Sequence, residues 1–253
     1  MKILSKAVSS RSTAVIKLAA TILTVLFATN ALAQDPASVL PKAYKLQFEN
    51  QWVKVTRVHY DPYEKLPSHQ HTLYPSAYVY LNDSGPVVFK HKDLPYGAVT
   101  RPPTKARSFR LYQAVKEMHE VQNLSELPSD FLRVEFKTEP VNEKALRGRF
   151  LTEQPAPTEN LEKIQFENEQ VRITRLVCRR GKPLEISTTS NVPALLMALT
   201  TSGVEMKGAG KPTKMRLEPG KTLWIDADKN SQLSPTDVDS IELLRFDFKT
   251  KPH

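Results

Sequence analysis

The sequence predicts an all-β protein made of two similar jelly-roll modules in tandem, and three observations carry that prediction. Short segments rich in β-branched and aromatic residues alternate with clusters of Pro, Gly, Asn and Asp. No segment of helical length has amphipathic spacing. A long internal repeat is also present: "LQFENQWVKVTRV" at 46–58 returns as "IQFENEQVRITRL" at 164–176, 118 residues later. The same spacing pairs Pro75 with Pro193 and Gly85 with Gly203. "LRVEFKT" at 132–138 then matches "LRFDFKT" at 244–250 at a spacing of 112, so one loop is six residues shorter in the second copy. A self-similarity of this length reads as a tandem duplication with about 90 residues per copy.

The chain opens with a leader. "MKILSKAVSSRSTAVIK" holds four basic residues and no acid, the apolar "LAATILTVLFA" follows, and Ala31-x-Ala33 fits a cleavage site before Gln34. The apolar run is shorter than the roughly 20 residues that span a bilayer. Residues 1–33 are therefore expected to be a cleavable signal peptide, which makes the mature protein secreted or periplasmic, with no stable membrane insertion. Of the formal net charge of +9, four positive charges leave with the leader, and the remaining +5 is spread without a basic run. That excludes an obvious nucleic-acid surface. Cys178 is the only cysteine, so no internal disulfide forms and stability rests on the core.

The first copy, 44–138, holds the strand-like "WVKVTRVHY", "SAYVYL", "GPVVFKH" and "DFLRVEF". Residues 139–162 are Pro-rich and charged and read as the connection between copies. The second copy, 163–253, repeats the pattern as "VRITRLV", "ALLMALT", "KTLWI" and "IELLRFDF". Apart from His253, every histidine lies between 59 and 119, and all eight tyrosines lie between 44 and 112. Whatever chemistry the protein has is expected in the first copy.

"HQH" supplies His69 and His71, and "HEVQN" supplies His119 and Asn123. A strand pair with His-x-His followed by a late strand with His-x3-Asn resembles the cupin superfamily. The resemblance covers nearly all of residues 45–253 and implies two tandem double-stranded β-helix (jelly-roll) barrels. Ser76 stands where the family carries a glutamate. At the repeat spacings His69, His71 and His119 become Ser187, Thr189 and Ser231, while Gly220 keeps a glycine of the second motif that the first copy replaces with Ser108. Both halves look like worn copies of one cupin module, the second without histidines.

Residues two apart on a strand share a face, so His69 and His71 point the same way, and in a cupin His119 lies opposite. Three neutral imidazoles converging on one point suit Fe(II), Zn, Cu, Ni or Mn. Without a carboxylate, one charge of the dication stays uncompensated. Tyr78 and Tyr80, in phase with Ser76, are expected to line the same interior and contact a small-molecule ligand. His59 shares parity with Arg57 and could reach the pocket, and His91 is expected at the surface. Arg57 and Arg175 occupy one repeat position and read as structural, each paired with a carboxylate. Cys178 reads as a small buried hydrophobe.

Three readings follow: a metal-dependent enzyme that oxidises or isomerises a small organic substrate, a non-catalytic module that binds a sugar-like ligand, and a structural cupin. As in bicupins and cupin dimers, the second copy is expected to pack on the first or on another subunit, which makes a homodimer one expected partner.

Overall fold

The computed structural model describes residues 35–92, 94–95, 97–115, 117–142, 146–152 and 158–253. The leader and its cleavage point lie outside these residues, as do 143–145 and 153–157 of the expected linker. After a four-residue helix α1 (Pro36–Val39), the first module runs β1 (Tyr44–Glu49), β2 (Val53–Tyr60), β3 (Lys65–Gln70), β4 (Ser76–Tyr80), β5 (Val87–His91), β6 (Ala98–Arg101), β7 (Phe109–Tyr112), β8 (Met118–Asn123), β9 (Ser129–Phe136) and β10 (Gly148–Phe150). The second runs β11 (Leu161–Glu167), β12 (Val171–Arg179), β13 (Leu184–Ser187), β14 (Ala194–Ala198), β15 (Ser202–Lys207), β16 (Thr213–Leu217), β17 (Thr222–Ile225), β18 (Asn230–Pro235) and β19 (Ser240–Phe248).

Each module contributes two sheets, β1-β2-β9-β4-β7-β10 with β3-β8-β5-β6, and β11-β12-β19-β14-β17 with β13-β18-β15-β16. The ladders are antiparallel. These are paired sheets of the jelly-roll kind, in place of the closed barrels expected. Within the stretch read as the connection, β10 pairs with β7, and Phe150 stacks on Phe109 at 4.6 Å.

The repeated residues do the same work in each copy. Asn50 Oδ1 accepts the N–H groups of Trp52 and Val53 (2.8 and 3.0 Å), and Asn168 Oδ1 those of Gln170 and Val171 (2.9 and 2.8 Å). A bulge falls between Leu46 and Phe48 in β1, and between Ile164 and Phe166 in β11. Arg57 pairs with Asp130, and Arg175 with Glu242. Gly85 and Gly203 are both close approaches, since a Cβ would stand 2.1 Å from Ser125 Cβ in one and 2.7 Å from Thr236 Oγ1 in the other.

The six- and five-stranded sheets pack against each other. Val53, Val55, Ala77, Val79, Phe109, Leu132 and Phe136 share one buried cluster with Ile173, Leu195, Met197, Leu244, Phe246 and Phe248. The interior strands β9, β14 and β19 are consequently buried along nearly their whole length, which explains apolar runs such as "ALLMALT" at β14 that do not alternate. The second module's interior is filled by Leu176, Cys178, Ile186, Leu196, Leu233 and Leu243.

The first module's interior differs most at β3. Leu66 and Leu184 occupy one repeat position and both are buried. Beyond them, a register shift between Leu66 and His69, at Pro67, moves the face by one residue. As a result His69 and His71 turn inward, whereas Ser187 and Thr189 are exposed and Ile186 and Thr188 are the buried residues. The spacing of 118 therefore aligns His69 with Ser187 in sequence but on the opposite face in space.

Candidate functional site

β8 lies between β3 and β5 in the four-stranded sheet, with His69 and His91 both in register with His119. His71 follows β3 directly. The rings of His69, His71 and His119 form a near-equilateral triangle, with centroids 4.9, 4.8 and 5.0 Å apart, and all three are buried. His71 Nε2 and His119 Nε2 face each other at 3.2 Å. One donor nitrogen from each of the three lies within 4.8 Å of the others, a cluster able to hold a metal ion.

Protonation favours such a role. His69 Nδ1 donates to the Pro67 carbonyl at 2.9 Å, which leaves Nε2 as the acceptor, and the Tyr44 hydroxyl donates to it at 2.9 Å. The Tyr60 hydroxyl in turn lies 2.9 Å from that of Tyr44. Burial pushes the His69 imidazolium down to about 4, and burial with the nearby Arg133 charge holds His71 well below the ordinary histidine value. Both are neutral at pH 7, as metal ligands must be. Burial raises the phenols of Tyr44, Tyr60 and Tyr78, so they remain protonated.

Two residues missed in the sequence complete the surroundings. Glu117 is buried, and its Oε2 lies 3.7 Å from both His91 Nδ1 and His119 Nδ1. Burial opposes its ionisation, but His119, Arg133 and His91 together hold its carboxyl below the usual range. His119 Nδ1 has no hydrogen-bond partner among the described residues. His91 was expected at the surface; its side chain is only 5% exposed, and burial lowers its pKa. Strand parity carried both signals, since Glu117 shares a face with His119, and His91 shares one with Phe89 opposite the exposed Lys90.

His71, His91 and His119, but not His69, line a cavity of about 70 Å³ together with Tyr44, Tyr60, Tyr78, Tyr112, Arg110 and Arg133. Of the three residues expected to contact ligand, Tyr78 lines it. Tyr80 packs in the adjoining core and lines a neighbouring cavity, and Ser76 lines neither, its hydroxyl donating to the Tyr74 carbonyl at 3.0 Å. Same-face residues on a strand stand roughly 6.6 Å apart, so only the middle one of the three reaches this space. His59 does not reach it either, because Val58 and Tyr60 take the inward face of β2, leaving His59 beside Asp61 and Asp130. Asn123 is fully buried, its side-chain amide donating to the carbonyls of Asp61 and Leu127 (2.9 and 2.8 Å), which makes it a turn-holding residue.

No protein-family model and no curated protein sequence matches the chain. Solved structures do. The chain is similar to AerE from Microcystis aeruginosa (15% identity, TM-score 0.57, covering 81% of this chain and 97% of that one). It is similar to a Cupin 2 conserved barrel domain protein from Leptotrichia buccalis (11%, 0.52, 82% and 88%). It is also similar to a mutant salicylate 1,2-dioxygenase from Pseudoaminobacter salicylatoxidans (13%, 0.51, 78% and 72%).

Proposed function

Since the chain has the cupin fold in a two-module, bicupin-like arrangement, we propose that it is an exported metal-dependent protein that oxidises or isomerises a small organic molecule. Its metal centre is His69, His71 and His119 in the first module. The observation that carries this reading is the triangle of buried imidazoles with two Nε2 atoms 3.2 Å apart, a spacing compatible with two ligands each about 2.1 Å from one ion. When bound, a divalent transition metal there supplies a Lewis acid with positions open to substrate or dioxygen.

The chain's own residues supply the rest. Pro67 fixes His69 so that Nε2 faces the centre. The Glu117 carboxylate, 3.7 Å from His119 Nδ1, favours the tautomer that keeps the proton on Nδ1, which would leave the Nε2 lone pair toward His71, and its negative charge partly offsets the missing carboxylate ligand. Tyr78 bounds the space a ligand would fill. The second module, with its apolar interior, backs the first. The salicylate 1,2-dioxygenase likeness supports organic oxidation as a chemistry this fold accommodates.

One observation favours a second reading. The Tyr44 hydroxyl already occupies the His69 Nε2 lone pair, as it would in a metal-free polar pocket that only binds. Elemental analysis separates the two, using chain 34–253 purified without a metal-affinity tag, beside His71→Ala. Near-stoichiometric Fe, Zn, Cu, Ni or Mn that is lost in the variant is the expected result. No metal in either sample after reconstitution would refute the centre. Mass spectrometry of exported protein beginning at Gln34 tests the leader.

A further inference from the structure

We propose that the cavity beside the histidines is a carboxylate site, and that its ligand is a small, flat organic anion held through Arg110 and Arg101. The site stands on its own observations; only the idea that the ligand's far end reacts rests on the metal reading above.

The first observation is a row of residues. Arg110, Tyr78 and Arg133 are cross-strand neighbours on β7, β4 and β9, and they line the cavity opened by the histidines of the other sheet. The Arg110 guanidinium lies 4.6 Å from the Tyr78 ring centroid and that of Arg133 5.9 Å from it. Arg101, which also lines the cavity, lies 5.2 Å from the Tyr80 ring and 5.6 Å from Phe131. At the matching place in the second module the row reads Leu223, Leu196, Arg245.

Charge pairing separates these arginines. Arg133 has Glu135 at 3.3 Å, and Arg245 likewise has Asp247 at 2.7 Å, so that pair belongs to the scaffold of both modules. Arg101 is 3% exposed, yet among the described residues its Nη2 donates only to the neutral hydroxyls of Ser84 and Ser129 (3.1 and 2.9 Å). Among the described residues Arg110 makes no side-chain hydrogen bond or ion pair, and the Nε atoms of both are buried without a partner. Arg101 is buried and Arg110 half-buried; a guanidinium wholly or partly removed from water without a counter-charge is unfavourable, and its planar donors match a carboxylate.

The adjoining cavity has the same sign. A second cavity of about 110 Å³ shares Arg101 and Arg110 as a wall and adds Lys105 and Arg149, with no acid in its lining; Lys105 itself pairs with Asp83 at 2.8 Å. Such a lining raises the local concentration of anions. The rest of the first cavity carries one acid, Glu117, which lies beside His91 and His119, and is otherwise largely aromatic, with Tyr44, Tyr60, Phe89, Tyr112 and Phe131, which suits a flat apolar body behind the carboxylate.

The test uses chain 34–253 and calorimetric titration with benzoate and with its neutral isostere benzamide, in metal-stripped and metal-loaded protein. Benzoate is expected to bind one per chain and at least about tenfold more tightly than benzamide. The preference should shrink with added salt and fall to near unity in Arg110→Gln, with partial return in Arg110→Lys. Equal binding of the two, binding of neither, or an undiminished preference in folded Arg110→Gln would overturn the proposal. So would displacement of benzoate by equimolar inorganic phosphate, the mark of a general anion well. Should Arg110→Gln not fold, the isostere and salt comparisons on the parent chain still decide. A benzoate preference in protein that takes up no metal upholds this site and sinks the metal centre; metal uptake without the preference does the reverse.

Discussion

Acid should destabilise the metal-free protein in a window set by its buried histidines. His69 has a folded pKa of about 4, against roughly 6.5 when unfolded. With the folded value depressed, the unfolded chain binds more protons below pH 6.5, so stability is complete above that value and falls as pH drops toward 4. His69 alone adds about 1.4 kcal/mol per pH unit within the window, about 3 kcal/mol in all. His71 and His91 shift in the same direction and steepen the curve. The assay is urea unfolding in chelator at half-unit steps from pH 7.5 to 4.5, for the parent chain and for His69→Gln, which cannot titrate. The parent should lose more stability than the variant across those steps, and the difference between the two curves should become constant above pH 7. Curves that stay parallel between pH 6.5 and 4.5 would refute the assignment of His69 as a buried neutral imidazole.

Three further outcomes follow from contacts already described. Glu242→Gln should cost about 3–5 kcal/mol in urea unfolding, because fully buried Arg175 would lose its carboxylate, as would Arg107 at 2.8 Å. Tyr44→Phe frees the His69 Nε2 lone pair, so metal affinity in a chelator competition should rise several-fold, while the metal-free protein should lose about 1 kcal/mol from the broken hydroxyl chain. Cys178 is buried and its thiol is pushed up to about 11, so a thiol reagent should label it only as fast as the chain unfolds; rapid labelling of native protein would contradict its placement.

Strands, repeat and the HxH pair were readable because each is a local pattern. The paired arginines were also readable, since Arg57 and Arg175 recur and each found its carboxylate. What strand alternation hid was the two-sided burial of the large sheets. In "FRLY", Phe109 and Leu111 seem to mark the inward face and Arg110 the solvent face, but the apolar pair packs on the other module and Arg110 faces the cavity. The shift in β3 was hidden for a different reason. Repeat spacing matches letters and not faces, so it could not show that His69 and Ser187 point opposite ways.

That shift has a genetic counterpart. One extra residue in the strand before the histidines separates an interior that offers imidazoles from one sealed with Ile186. A three-base deletion at codon 67 or 68 would only remove the bulge, leaving His69 two residues after Leu66, still inward and opposite His119, whereas a three-base insertion ahead of codon 187 would turn Ser187 and Thr189 of the second copy inward. Histidine there would then be a second, separate step. A one-codon insertion ahead of residue 187, with no substitution at all, is thus the shortest route from a sealed core to a polar interior on this scaffold.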